Sequence, residues 1–265
     1  MLHGYTTPLT PRGKSSLVPA PPWHNAGIAL AIEYWASPEQ VAAFLPEGFE
    51  PADDPGHCIA HFMEWQSCTE SGEELLDPIA AQYQEFFLLI AGKYAGDNVY
   101  VCPFMYVDTD INLYRGLLQG LPKQMASIAM TRSYPVANAA GAPLEAGRRL
   151  GASLTLRDRR LAEAAVTLRE PGGEPIGLAA AKVYGMRHFP DLAGGRDAPP
   201  LIHDLVAFTG YDKQIAQVWQ AEADHLAYYP APSQELHDLA PHRLGRATRY
   251  TIGFSIADIR KVADF

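Results

Sequence analysis

Lys123 stands between a proline and an apolar strand, in the run Gln119-Gly120-Leu121-Pro122-Lys123-Gln124-Met125-Ala126. The residues that follow, Ile128, Ala129 and Met130, continue the apolar pattern. Such a lysine has two fates. Pointing outward it is an ordinary solvated charge. Pointing inward it is desolvated, which penalises the ammonium and leaves some free amine near neutrality. A free amine on a flexible stem is the nucleophile that forms Schiff bases with carbonyl compounds. Spacing alone leaves both fates open. His57 and His61 lie four residues apart, which on a strand puts them on one face, with Asp53 and Asp54 nearby in sequence. A metal would need a further ligand that no spacing supplies, so they read as partly buried histidines and no metal is expected. Neither a phosphate-cradling glycine loop nor G-x-S-x-G nor H-E-x-x-H is present, so no nucleotide or other cofactor is expected.

The elements around Lys123 read as mainly strand. Gly27 to Trp35, His57 to Trp65, Tyr83 to Ala91, Asn98 to Val107 and Met125 to Tyr134 are apolar, β-branched or aromatic runs bounded by turn residues. Gly177 to His188, Ile215 to Tyr228 and Arg249 to Ile256 are further candidates, the last leading into a short helix from Ala257. Leu150 to Leu156 and Leu161 to Leu168 flank the solvated turn Arg157-Asp158-Arg159-Arg160 and predict a hairpin. Ser37-Pro38-Glu39-Gln40 opens a short helix through Leu45, with Ser37 as cap and Pro38 in the first position. Asp108-Thr109-Asp110 precedes a second, Ile111 to Leu118. Many antiparallel strands with few helices suggest a closed or nearly closed sheet. Strands do not alternate with long crossover helices, which argues against a doubly wound parallel fold. Residues 1–26, with Pro19, Pro21 and Pro22, read as an extended arm, and 27–265 as a single domain.

The 265 residues are 48% hydrophobic and 19% charged, which excludes a disordered chain or a coiled coil. A net charge of −9 with no basic tract makes nucleic acid and anionic membranes poor partners. No apolar run approaches the length that spans a bilayer, and the polar start does not look like a signal peptide. Three cysteines, Cys58, Cys68 and Cys102, fit buried thiols in a reducing compartment, so a cytoplasmic protein is expected.

Leu121-Pro122-Lys123, entered from Gly120 and followed by a strand, resembles the stretch that carries the Schiff-base lysine in the acetoacetate decarboxylase-like superfamily. Tyr83-Gln84-Glu85 stands where that family has a strand-borne Tyr-x-Glu. Ile32-Glu33-Tyr34, Ser37-Pro38-Glu39 and Leu45-Pro46-Glu47-Gly48 resemble its opening. Pro232 through Leu239, Pro241 and the strand at Tyr250 resemble its closing pattern. The resemblance implies an α+β, mainly β fold: a closed or cone-shaped antiparallel β-barrel with short helices outside and the lysine inside. It also implies a homo-oligomer. Lys123 would be the Schiff-base lysine and Glu85 an acid/base carboxylate, buried among Phe86, Phe87 and Leu88 and so suited to moving a proton. Tyr83, two residues away on the same strand face, and Tyr250 are candidates to share that work. Gln119 is a candidate to hydrogen-bond a substrate carboxylate.

Two positions depart from the family's decarboxylases. The residue after the nucleophile is Gln124 where they have a second lysine, and Trp35 stands where they have an arginine on the first strand. Both positions border the expected substrate site. Without those charges, burial or a more distant cation must prime Lys123. The departures favour condensation of a small 2-oxo acid such as pyruvate with an aldehyde, followed by dehydration. Acetoacetate decarboxylation is the alternative, and a ligand-binding barrel without turnover is a third reading.

Overall fold

In the computed structural model, which describes residues 1–265, the apolar and aromatic runs form twelve strands of one sheet. In chain order the elements are β1 (Trp23–Trp35), α1 (Pro38–Ala43), β2 (Glu50–Pro51), β3 (His57–Cys68), α2 (Pro78–Ala81), β4 (Gln82–Tyr94), β5 (Asp97–Val107) and α3 (Asp110–Leu118). There follow β6 (Lys123–Met125), β7 (Ser127–Met130), β8 (Arg149–Leu156), β9 (Arg159–Pro171), β10 (Val183–Phe189), β11 (Ile202–Tyr228) and β12 (Arg243–Asp264). The sheet order is β10-β5-β4-β3-β1-β12-β11-β9-β8-β7, with β2 on β4 and β6 on β5. β10 also pairs with β11, so the ladder returns from β11 through β10 to β5. Only the β10–β5 and β5–β6 pairings are parallel.

Successive strand residues point to opposite faces, so β1, β3 and β4 each feed two cores. Leu30, Ile32, Phe62, Phe86 and Leu88 enter the larger one. Ala29, Ala31, Ile59, Met63, Phe87 and Leu89 enter the smaller. Burying a large apolar side chain contributes about 1.5–3 kcal/mol, and a one-residue slip would exchange the two sets. Register is therefore strongly held on the strands that carry the site.

Several local expectations hold. Ser37 Oγ accepts from the Gln40 backbone N–H at 3.4 Å, with Pro38 opening α1. The β8–β9 hairpin turns on Arg157 and Asp158, both at positive φ (47° and 64°), the pattern of a type I′ turn. Others are corrected. No helix follows Ile256: β12 runs on to Asp264 because its backbone pairs with the start of β11, as in Ala207↔Arg260 and Leu205↔Ala263. β11 itself begins at Ile202, well before Ile215. Strand β10 starts only at Val183, since Gly177–Ala179 is a 3₁₀ turn. The run from Met125 divides at Ala126, where the chain leaves β5 and takes β8 as its partner. The N-terminal residues are folded back, not extended. His3 bridges Thr10, Thr6 Oγ1 donates to the Val18 carbonyl at 3.0 Å, and Val18 packs on Trp23 and Ile256. The cysteines are free, Cys58 and Cys102 buried and Cys68 only half-buried. No helix is long and apolar enough to cross a membrane.

Candidate active site

Tyr83, Glu85, Phe87 and Leu89, alternate residues of β4, all line one cavity of about 170 Å³. Trp23 and Asn25 at the start of β1, Trp65 on β3, Met105 on β5, and Phe254 and Ile256 on β12 complete much of its wall. Lys123 enters through β6. That strand is three residues long, and its parallel register sets Lys123 beside Met105. The side chain lies in the cavity wall with 7% of the residue exposed, so the inward fate applies.

The Lys123 Nζ is 2.6 Å from Glu85 Oε2. Trp65 Nε1 donates to the other carboxylate oxygen at 3.1 Å. The Tyr83 ring lies beneath the amine, 5.7 Å from Nζ to its centre. Burial pushes the pKa of Lys123 below the usual lysine range; the Glu85 carboxylate opposes this, and the Arg115 guanidinium acts in the same direction as burial. The lysine stem lies directly on α3: a Cβ built on Gly116 would sit 2.2 Å from Lys123 Cδ. Gly116→Ala must therefore displace the amine. A 1 Å displacement of a reacting group costs about 10²-fold in rate, so any reaction of this amine with a carbonyl compound, followed by borohydride trapping, is expected to slow by about that factor. A wild-type trapping rate would contradict the placement.

Arg115 is the functional candidate that the sequence reading missed. It sits in the last turn of α3 and is buried. Its guanidinium donates to Ser67 Oγ at 2.8 Å, Asn25 Oδ1 at 3.4 Å, the Tyr83 hydroxyl at 3.3 Å and Asn112 Oδ1. All four acceptors are neutral. With Lys123 and Glu85 cancelling each other, the cavity's positive charges without an anion are Arg115 and, at its other end, Lys213, which donates only to backbone carbonyls. Gln119, one helical turn beyond Arg115, is also buried and lines the cavity, and its Nε2 has no hydrogen-bond partner. A buried cation and an unpaired amide donor facing one space form a receptor for an anion. The signal was present in the spacing Asn112, Arg115, Gln119, which places three polar residues on one face of a short helix. Burial and a repelling carboxylate raise the pKa of the Tyr83 hydroxyl, so it keeps its proton while accepting from Arg115.

Three candidates lie outside the cavity lining. Gln124 follows an inward lysine on a strand and so points the other way; it is exposed, its Oε1 accepting from Gln234 Nε2 at 3.0 Å. Trp35 is at the opposite end of β1 from Asn25, about 33 Å along an extended strand. There its Nε1 donates to Asp54 Oδ2 at 2.9 Å and its ring lies under Arg243. Tyr250 is fully buried behind the cavity wall, its hydroxyl donating to the Ile176 carbonyl at 3.0 Å. The two histidines do share a face of β3, but they serve different partners. His57 Nε2 is 3.0 Å from Glu33 Oε1, and His61 Nε2 accepts from the Leu178 N–H at 3.1 Å.

Comparison with known proteins gives a family and several solved relatives. The family model for acetoacetate decarboxylase matches residues 6–265. The enduracididine biosynthesis enzyme MppR, in complex with the condensation product of pyruvate and imidazole 4-carboxaldehyde, is 32% identical. That match has a TM-score of 0.92 and covers 100% of this chain and 98% of MppR. An acetoacetate decarboxylase-like enzyme from Sphingomonas wittichii RW1 is 27% identical, with a TM-score of 0.89 over 99% of this chain and 100% of its own. Acetoacetate decarboxylase from Legionella pneumophila, 16% identical with a TM-score of 0.77 over 100% and 97% of the two chains, shares the fold. No curated protein matches the sequence.

Proposed function

This chain belongs to the acetoacetate decarboxylase family, and from that premise we propose that it is a carbon–carbon lyase working through a Lys123 Schiff base. Its reaction joins pyruvate, or a similar small 2-oxo acid, to an aldehyde with loss of water. The observation that carries the reading is the trio of a buried Lys123 amine, an Arg115 cation held only by neutral acceptors, and an unpaired Gln119 amide around one cavity. A 2-oxo acid presents a carboxylate next to its ketone. With the carboxylate on Arg115 and Gln119, the ketone carbon is left for Lys123. MppR bound to pyruvate, 31% identical to this chain, supports the choice of acid.

In the reaction Lys123 passes its ammonium proton to Glu85 and the free amine adds to the ketone carbon; the oxygen takes one proton from the amine and one from Glu85 and leaves as water, giving an iminium and the Glu85 carboxylate. Glu85 removes a proton from the adjacent methyl carbon, and the C–H electron pair makes an enamine. That carbon adds to the aldehyde carbon, and the aldehyde oxygen takes the proton back from Glu85. Loss of this hydroxyl with a second proton from the same carbon, as water, leaves an unsaturated iminium. Hydrolysis frees the product and Lys123. Tyr83, keeping its proton, hydrogen-bonds the oxygen on which charge develops. The cavity volume suits substrates of this size, since a dry cavity of about 150 Å³ admits benzene.

Borohydride reduction in the presence of pyruvate, followed by peptide mass spectrometry, tests the reading. A reduced pyruvate adduct on Lys123, and an unsaturated 2-oxo acid when acetaldehyde is added, are expected. Carbon dioxide release from acetoacetate at an enzyme-like rate, with no condensation product, would overturn it in favour of a 3-oxo acid decarboxylase. No adduct with any oxo acid would favour a binding barrel.

A further inference from the structure

Between β9 and β10 the sheet has a gap, and it lies beside the cavity. β11 pairs with β10 through Ile202 to Ala207 and with β9 from Trp219 onward, so the stretch between has only β12 as a strand partner. The segment from Gly172 to Lys182 crosses this gap, and Leu178 and Ala181 from it line the cavity. Its ends bond to strand backbones, the Gly172 N–H donating to the Val218 carbonyl and the Lys182 carbonyl accepting from the Tyr100 N–H, but between them it pairs with no strand and its backbone must be satisfied in other ways.

Side chains from three strands supply the bonds. Thr248 Oγ1 on β12 accepts from the Ile176 N–H at 3.2 Å, and the Tyr250 hydroxyl donates to the Ile176 carbonyl at 3.0 Å. His61 on β3 accepts the Leu178 N–H on Nε2 at 3.1 Å. Lys213 on β11 donates to the carbonyls of Leu178 and Ala179 at 3.4 and 3.0 Å. The fit is close: a Cβ on Gly177, whose φ is +76°, would sit 1.9 Å from His61 Nε2. His61 is fully buried and stacks on Phe87, with ring centres 4.2 Å apart, and Phe87 also lines the cavity. Burial pushes its pKa down to about 3, so the ring is neutral and Nε2 is free to accept at ordinary pH.

The cavity is polarised as a result. Arg115, Asn25, Gln119, Glu85 and Lys123 supply its polar groups, whereas Leu178, Ala181, Val183 and Phe208 beside the gap are apolar. Lys213 also borders the cavity there, but its ammonium is engaged by the segment's own carbonyls. We propose that residues 176–181 form the wall that sets how large an apolar substituent the second substrate carries, and that His61 is the positioning residue that holds this wall. The proposal rests on the Schiff-base reading for the identity of that substrate: an uncharged aldehyde whose substituent meets Leu178 and Ala181.

The test compares the wild type with Leu178→Ala, His61→Leu and His61→Gln, using two readouts. One is the ratio of kcat/KM for benzaldehyde over acetaldehyde with pyruvate. The other needs no chemistry: the calorimetric affinity ratio of 3-phenylpropanoate over propanoate. Removing apolar wall atoms shifts such ratios by about 10-fold or more in a hydrophobic pocket. Leu178→Ala is expected to raise both ratios by about that factor. His61→Leu, which leaves the Leu178 N–H without its acceptor, should raise them too, with pyruvate trapping on Lys123 unchanged. His61→Gln, which can still present an acceptor, should return them toward wild type. Trapping with pyruvate together with unchanged ratios in both Leu178→Ala and His61→Leu would overturn the wall. Shifted affinity ratios without any trapping in the wild type would instead overturn the Schiff-base reading and leave the wall standing.

Discussion

Lys123→Met will fold and will lose turnover by about 10⁴-fold or more, because it removes the amine that carries the covalent intermediate, and Lys213, the other amine at the cavity, is held by the carbonyls of Leu178 and Ala179. Methionine matches the length of the lysine stem and packs without a charge against Gly116 and Met105, the stem's neighbours. The cost falls on Glu85, whose carboxylate loses the amine 2.6 Å away. Breaking a buried pair from one side costs about 3–5 kcal/mol when nothing else adapts. The double variant Lys123→Met/Glu85→Gln removes both charges and should recover much of that stability while remaining inactive. Borohydride trapping and thermal midpoints on the two variants separate lost chemistry from lost fold. Turnover within about 10-fold of wild type in Lys123→Met, against the loss expected above, would end the Schiff-base mechanism.

Arg115→Met should lower kcat/KM for pyruvate by about 30-fold to 4 × 10³-fold, the range for removing one partner of a buried charged contact. Acetone, which has a ketone but no carboxylate, is the control. Its trapping on Lys123 should fall far less, and equal losses for both ketones would show that the guanidinium only supports the fold. A second signature lies in pH. Arg115 helps hold the Lys123 pKa down, since a like charge disfavours the ammonium. Without it the lysine keeps its proton to higher pH, and the acid limb of the trapping rate should move to higher pH. Glu85→Gln should move that limb the other way, because the carboxylate favours the ammonium. Limbs that stay in place in both variants would refute the electrostatic account.

The predicted priming of Lys123 illustrates how a site can be legible in part. Burial was the expected cause, and it is the largest influence on the amine. A more distant cation was the other expected cause, with no residue assigned to it; Trp35 stands where the family's decarboxylases have an arginine, and the cation comes instead from Arg115 on α3. The two lie on different elements, and only the folded sheet shows which of them meets the lysine. Gln124 is the opposite case. Once Lys123 is inward, the two-residue period of a strand already turns Gln124 outward.

Local chemistry was readable wherever neighbours along the chain decide the outcome. The alternation of Tyr83, Glu85, Phe87 and Leu89, the Ser37 cap and the Arg157-Asp158 turn each depend on a few adjacent residues. The continuation of β12 beyond Ile256, the attachment of residues 176–181 to His61 and Tyr250, and the neutral shell around Arg115 depend on partners far away in sequence. A backbone or side-chain hydrogen bond extends only about 3 Å, so what fills that distance across the sheet is decided by tertiary packing and not by local pattern. By itself the sequence determined a strand-rich chain with a lysine at the head of an apolar strand; the tertiary structure decided that this lysine is buried and which cation, amide and wall surround it.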